Sequence, residues 1–167
     1  MKLAVLLLLL SCAAPAHADG SPAQEPMQRL GSGTMRWLGL RIYDAELWTS
    51  GRAADYSRSF ALSLRYARAL KGAAIAERSV EEIAKLGFGS PAQRASWGEA
   101  MRGLFPDVAE GDTLTGVHLP GWGARFFHNG RPLGEIEDAQ FSRAFFAIWL
   151  DPRTSAPDLR AALLGER

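Results

Sequence analysis

The chain contains little cysteine and little histidine, which limits the chemistry it can carry. Cys12 is its single cysteine, so an internal disulfide or a zinc site built from paired cysteines is excluded. His118 and His128 are the histidines beyond residue 18, and neither has a His or Cys partner at a metal-ligand spacing. The Gly-x-Ser-x-Gly motif of serine hydrolases is missing too. The sequence therefore predicts no metal site and no cofactor.

An excess of charge of one sign is also missing. The 167 residues include 19 basic and 18 acidic side chains, and removal of Lys2 with an N-terminal signal would make these numbers equal. Proteins that bind nucleic acid present a basic surface to the phosphate backbone. The charge balance therefore gives no reason to expect a nucleic-acid partner.

The longest apolar run, residues 3–10, is too short to span a bilayer as a helix. It follows a lysine and precedes Ala16-His17-Ala18, the arrangement of a secretory signal that is cleaved after Ala18. Residues 1–18 are therefore predicted to be a signal peptide, and the mature protein is expected to be periplasmic or secreted, without a transmembrane segment. A second interpretation is that Leu-Leu-Ser-Cys at residues 9–12 is a lipoprotein motif, with the protein anchored through Cys12.

After the signal we expect a polar leader, residues 19–29, and a single domain, residues 30–167. Alternating apolar residues predict strands over residues 36–48, 60–66 and 113–119, and Asn129-Gly130 predicts a hairpin between two more strands. Helical spacing and capping residues predict helices over 73–86, after the capping box at 90–93, over 141–150 and over 155–165. This order indicates an α+β fold, an antiparallel sheet packed by helices on one face.

Two motifs suggest ligand sites but fit simpler interpretations. Gly31 and Gly33 resemble part of a nucleotide-binding loop, yet a third glycine and a following helix are missing, so we expect them to permit a bend or a close backbone approach at a strand start. Asp107, Glu110 and Asp112 lack the spacing of a calcium-binding loop. We expect these carboxylates to be solvated and to make hydrogen bonds within a turn.

Arg41 and Tyr43 are the candidate binding residues on the first long predicted strand, where alternation places them on one face with Trp37. Tyr66 can join them from a neighbouring strand, whereas Arg36 lies on the opposite face of the same predicted strand. A guanidinium and a phenolic hydroxyl on an apolar surface can bind a carboxylate or a phenolate. The alternative is that Arg41 faces solvent and Tyr43 only packs.

Three stretches carry a resemblance to a known family. They are GSGTMRWLGLRIYDAELW from residue 31, LRYARALKGAAIAERSVEEIAKLG from residue 64, and the long run from LFPDVAEGD to LRAALLG that ends at residue 165. In these the chain resembles the exported, bacterial branch of the chalcone isomerase-like family. The resemblance implies an open-faced β-sandwich with a ligand cleft between the sheet and the helices. The superfamily includes true chalcone isomerases, fatty-acid-binding proteins and members without known catalysis.

The resemblance also implies where the plant enzymes' catalytic residues would fall. Those enzymes use an Arg, a Thr, a Lys, a Tyr and an Asn to hold a phenolate and to polarise a ketone. The corresponding positions here are Met35 or Arg36, then Tyr43, Arg65 or Tyr66, Ile75, and Glu82. An isoleucine cannot donate to a ketone and a glutamate would repel a phenolate, so we do not expect chalcone cyclisation.

The sequence therefore predicts a non-catalytic periplasmic protein that binds a small amphipathic ligand, a fatty acid or an aromatic acid, between its sheet and its helices. Arg36, Arg41, Tyr43 and Tyr66 are the candidates for binding the polar end, and only one of the two arginines is expected to line the cleft. One alternative is an intramolecular lyase or isomerase with a rearranged active site. Another is a protein-interaction module, which would have a filled cleft and an exposed apolar patch.

Overall fold

The computed structural model describes residues 26–166, so the predicted signal peptide, Cys12 and most of the polar leader lie outside the described residues. Six antiparallel strands form one sheet in the order β1-β2-β3-β4-β5-β6. The elements are β1 (Gln28–Trp37), β2 (Leu40–Thr49), β3 (Phe60–Tyr66), α1 (Gly72–Lys85), α2 (Pro91–Leu104), β4 (Thr113–Leu119), β5 (Gly123–His128), β6 (Arg131–Ile136), α3 (Ala139–Leu150) and α4 (Pro157–Leu164). The predicted α+β fold with helices packed on an open antiparallel sheet is confirmed.

The strand predicted over residues 36–48 is wrong, because a hairpin turn interrupts it. Leu38 and Gly39 have φ angles of 49° and 79°, and this pair reverses the chain between β1 and β2. The alternation of residues 36–43 therefore does not continue across the turn. The sheet also contains a bulge here, since Met35 pairs with Tyr43 while Arg36 pairs with Arg41, which leaves Ile42 as an extra residue in β2.

Gly31 and Gly33 lie inside β1 rather than at its start, and helix α4 crosses directly over them. A Cβ atom at Gly31 would lie 2.2 Å from the carbonyl oxygen of Ala162, and one at Gly33 would lie 2.8 Å from Cδ1 of Leu159. Both glycines are therefore required for a close approach of a helix to a strand. The expected backbone approach is confirmed, although its position in the strand differs.

Most other local predictions are confirmed because their signals act over a few residues. β3 and β4 have the predicted bounds, and Asn129 and Gly130 form the β5–β6 turn with φ angles of 50° and 77°. Ser90 accepts a hydrogen bond from the Gln93 backbone N–H and completes the predicted capping box of α2. Asp138 caps α3 by accepting from the backbone N–H groups of Gln140 and Phe141, the second and third residues of the helix.

The core lies between the sheet and α3, the most apolar helix. Buried aromatic side chains from both layers meet there: Phe60, Phe126, Phe141, Phe145, Phe146 and Trp149. Phe145 packs edge-on against Phe126 at 5.3 Å between ring centroids, which joins α3 to β5. Each such side chain contributes about 1.5–3 kcal/mol through burial, so this aromatic layer dominates the packing of α3 on the sheet.

Candidate functional site

A cavity of about 380 Å³ lies between the sheet and the helices α1 and α3. Most of its wall is apolar and includes Leu62, Leu64, Phe105, Leu114, Phe126 and Phe145. Cavities of a few hundred cubic ångströms with apolar walls and few polar groups are typical binding sites for small molecules. The cleft expected between the two layers is thus present and is not filled by the surrounding aromatic side chains.

Two tyrosines on neighbouring strands form part of the polar lining. Tyr43 and Tyr66 are paired in the β2–β3 register, with their rings edge to face at 5.8 Å. The indole N–H of Trp149 donates to the Tyr43 hydroxyl at 3.0 Å. Tyr43 accepts this bond, and its own hydroxyl proton finds no acceptor among residues 26–166, so it is available to a ligand.

Within the described part of the chain, the Tyr66 hydroxyl has no hydrogen-bond partner at all. In that same part no fully enclosed side-chain oxygen is left unpaired, and Tyr66 is among the residues that line the cavity. Burial raises the pKa of Tyr43 to about 12 and also raises the pKa of Tyr66. Both side chains are therefore neutral hydrogen-bond donors at physiological pH.

Glu82 on α1 places a carboxylate in the same lining. Ser155 donates to it at 2.5 Å, and Lys85 and Arg78 lie 2.9 and 2.6 Å from its other oxygen. Burial pushes the pKa of Glu82 upward, but the hydrogen bonds from Ser155 and Lys85 and the charge of Arg78 outweigh it and hold that pKa below its usual value. Glu82 is thus an ionised group whose charge is offset by two cations.

The opening of the cavity is marked by the lining residues that are exposed to solvent: Trp37, Ala74, Arg78 and Ser155. Arg78 supplies the one arginine or lysine side chain in the lining that residues 26–166 form. It contacts both Glu81 and Glu82 and is about half exposed. A cation at the rim beside two hydroxyl donors can bind an anionic group that enters from solvent.

Of the four residues predicted from the sequence, Tyr43 and Tyr66 line the cavity, while Arg36 and Arg41 lie outside the lining. The expectation that one arginine would line the cleft is wrong, and the bulge at Ile42 explains why. Met35 and Trp37 line the cavity on either side of Arg36, so Arg36 belongs to the other face of β1. The extra residue in β2 likewise moves Arg41 to that other face, where it forms an ion pair with Asp44.

Arg78 and Ser155 were missed from the sequence. The signal for Arg78 is a stripe on α1, formed by Ile75, Arg78, Ser79 and Glu82, which recurs every three to four residues and faces the cavity. A mixture of polar and apolar residues in such a stripe is typical of an ordinary helix surface. Its role becomes visible only when the position of the sheet opposite α1 is known. Ser155 lies in the loop before α4 and enters the site only through the tertiary fold.

His118 and His128 contact other protein groups, and neither lines the cavity. His118 is buried, with Nε2 donating to the Tyr56 carbonyl at 2.9 Å and Nδ1 accepting from the Ser142 hydroxyl at 2.7 Å. Burial lowers its pKa, which favours this neutral form. His128 contacts Asp112 at 3.2 Å. The described residues contain no cluster of three or more His, Cys, Asp or Glu suited to a metal ion.

Of the carboxylates after α2, Asp112 makes the expected hydrogen bond within the turn, whereas Asp107 bonds to the start of α1 instead. Asp107 accepts from the backbone N–H of Gly72 and contacts Lys71, and Asp112 accepts from the backbone N–H of Ala109. Glu110 is exposed.

As for membrane insertion, none of the helices between residues 26 and 166 has the length and apolar character needed to cross a bilayer.

Comparison with known proteins identifies the family. A family model described as chalcone isomerase-like matches residues 31–165. The chain belongs to the chalcone isomerase-like family. It is 30% identical over 140 residues to an uncharacterized protein of Haemophilus influenzae, an alignment that covers 83% of this chain and 68% of that protein. The crystal structure of a fatty-acid binding protein of Arabidopsis thaliana matches with a TM-score of 0.66, at 12% identity over 84% of this chain and 87% of the other, which shows a shared fold.

The positions to which the family resemblance carries the plant catalytic residues converge in this chalcone isomerase-like protein. Met35, Tyr43, Tyr66, Ile75 and Glu82 all line the cavity. Their chemistry differs from that of the plant set, because Met35 has no charge to hold a phenolate and Ile75 has no proton to donate. The cavity therefore contains the positions to which the resemblance carries the plant residues, but it presents a different set of polar groups.

Proposed function

We propose that this chalcone isomerase-like protein is a non-catalytic binding protein of the periplasm whose ligand is a small amphipathic acid, either a fatty acid or an aromatic acid. The observation that carries the proposal is the composition of the cavity. An open, largely apolar cavity is lined by two tyrosines, with Arg78 at its rim. Such a site suits a molecule with a hydrocarbon or aromatic body and one anionic group.

The apolar wall accounts for the hydrocarbon part of the ligand. Each methylene that moves from water to the space between Leu62, Leu114 and Phe126 contributes about 0.8 kcal/mol. Burial of a short chain or an aromatic ring thus supplies most of the affinity and little of the specificity.

The polar lining accounts for the acid group. Tyr43 and Tyr66 each offer a hydroxyl proton that no described residue accepts, and Arg78 offers a guanidinium. A carboxylate accepts from all three kinds of donor. Lys85 and Arg78 contact the Glu82 carboxylate, which reduces its repulsion of a bound anion.

The protonation states of the lining support binding rather than proton transfer. A general acid or base works best when its pKa lies near the working pH. The pKa of Tyr43 and that of Tyr66 are raised, while the pKa of Glu82 is lowered. At neutral pH these three groups keep one protonation state each, which does not suit a lyase or isomerase that moves a proton.

The test is native mass spectrometry of protein that is expressed as the full chain and recovered from the periplasm, followed by denaturing extraction. We expect a chain cleaved after Ala18 that carries one acidic lipid or aromatic acid per molecule. Tyr66→Phe and Arg78→Gln should reduce the occupied fraction, whereas Arg36→Ala and Arg41→Ala, on the other face of the sheet, should not. An apo mass that stays unchanged after challenge with free fatty acids and aromatic acids would overturn the proposal, as would conversion of the added acid to a new product.

A further inference from the structure

The tip of the β1–β2 hairpin exposes three large apolar side chains. Trp37 is 60% exposed, Leu38 81% and Leu40 51%, within four consecutive residues. Among residues 26–166 the other exposed large apolar side chain is Trp122, in the β4–β5 turn at the opposite end of the sheet. The apolar surface is therefore concentrated at one tip rather than scattered, as single exposed residues normally are.

The backbone of this tip is also unfavourable for the residue that occupies it. Leu38 has a φ of 49°, in the left-handed region that disfavours branched side chains. The β5–β6 hairpin has Asn129 in the same conformation, which is the residue type such turns favour. Asparagine at position 38 would make a better turn and expose less apolar surface, so the fold does not explain Leu38.

The tip lies beside the opening of the cavity, and its charge is basic. Trp37 is at once a tip residue and an exposed lining residue. Arg36 and Arg41 bracket the apolar group, and no acidic residue occurs between them. Arg41 forms an ion pair with Asp44, whereas Arg36 has no acidic partner within the described part of the chain.

We propose that this tip docks on the surface of a lipid bilayer that contains anionic lipid and brings the cavity opening against the membrane. Indole rings favour the headgroup region, leucine side chains enter the outer acyl layer, and arginines contact lipid phosphates. Docking exposes the opening to the membrane, from which an amphipathic acid can pass into the cavity. The passage of ligand rests on the function proposed above, but the membrane contact itself does not.

The test is flotation with vesicles of phosphatidylcholine and phosphatidylglycerol in equal amounts, and with vesicles of phosphatidylcholine alone. All proteins are expressed as the full chain and carry Cys12→Ser, which removes the thiol to which a lipid could be attached. The tip variant is Leu38→Asn with Leu40→Thr, which suits the turn and the strand and leaves the cavity lining intact. The matched control is Trp122→Ser, which removes an exposed tryptophan from the other end of the sheet.

We expect the parent protein and the Trp122→Ser control to float with the mixed vesicles and more weakly with phosphatidylcholine alone. The tip variant should lose at least about tenfold in vesicle affinity, since several buried methylene groups are removed. Equal flotation of the tip variant and the parent would overturn the proposal, and so would a parent that binds neither vesicle. If the parent dimerises without vesicles and the tip variant does not, the two leucines contact a second copy of the chain. That result would also overturn the membrane proposal. Acid binding in vesicle-free solution, measured on the same proteins, separately tests the proposed function and should be unchanged in the tip variant.

Discussion

Trp149 donates its indole N–H to the hydroxyl of Tyr43 at 3.0 Å, and this bond joins helix α3 to strand β2 inside the cavity. Trp149 is 7% exposed, so its indole ring is largely buried. The bond fixes the Tyr43 ring and leaves the hydroxyl proton free for a ligand. One interaction thus serves both the stability of the two layers and the chemistry of the site.

Tyr43→Phe should destabilise the protein, because it leaves the buried indole N–H of Trp149 without an acceptor. We expect a loss of about 1–3 kcal/mol in the free energy of unfolding, measured by urea denaturation. Tyr66→Phe is the matched comparison, since the Tyr66 hydroxyl has no partner among the described residues. It should change stability little while weakening acid binding. Equal destabilisation by the two substitutions would show that the Trp149 bond has no special role.

The tyrosines should resist ionisation in the folded protein. The chain has three, and burial raises the pKa of Tyr43 to about 12 and raises the pKa values of Tyr56 and Tyr66 as well. An absorbance titration should therefore show no tyrosinate at pH 10, a usual tyrosine pKa, until the protein unfolds. Because the folded pKa values are raised, stability from these groups is present below pH 10 and is lost as the pH rises further. A tyrosine that ionises near neutral pH would instead indicate a base suited to catalysis.

The architecture could be predicted from the sequence because its signals are local. Alternation in β3 and β4, the capping box at Ser90 and the Asn129-Gly130 turn each depend on a few neighbouring residues. The β1–β2 hairpin could not be found this way, because Leu38 is an unusual residue for its turn. Without that turn the alternation of residues 36–43 gave a continuous strand.

Two of the four predicted binding residues, Tyr43 and Tyr66, line the cavity, and the other two, Arg36 and Arg41, do not. Tyr43 and Tyr66 keep their positions because β2 and β3 pair in regular register from that point. The bulge at Ile42 is a one-residue irregularity that moves Arg41 to the other face. No pattern in the sequence predicts this bulge. Arg78 contacts Glu82 within α1, whereas Ser155 contacts Glu82 only when the loop before α4 packs near that helix.

Gly31→Ala should displace helix α4. The new methyl group would lie 2.2 Å from the Ala162 carbonyl oxygen, and backbone cannot move aside as a flexible side chain can. We expect a loss of about 1–3 kcal/mol, as for other overpacked positions, measured by thermal or urea unfolding. Gly103→Ala is the control, since nothing lies within 4 Å of its Cβ position in α2, and it should stabilise the helix by about 0.5–1 kcal/mol. A neutral effect of Gly31→Ala would mean that α4 does not pack closely on β1.

Glu82 should make stability depend on pH in the acid range. Its pKa is held below the usual 4.5, so the carboxylate contributes stability that is fully present above that value and is lost as the pH falls through the lowered pKa. Glu82→Gln should weaken the contacts with Arg78 and Lys85, cost about 1–3 kcal/mol at neutral pH and flatten the dependence of unfolding free energy on pH below 4.5. Glu77→Gln, at an exposed position on the same helix, is the matched control and should leave the neutral stability unchanged. If the acid slope survives in Glu82→Gln, another carboxylate supplies it, and the network around Ser155 does not hold Glu82 in its ionised form.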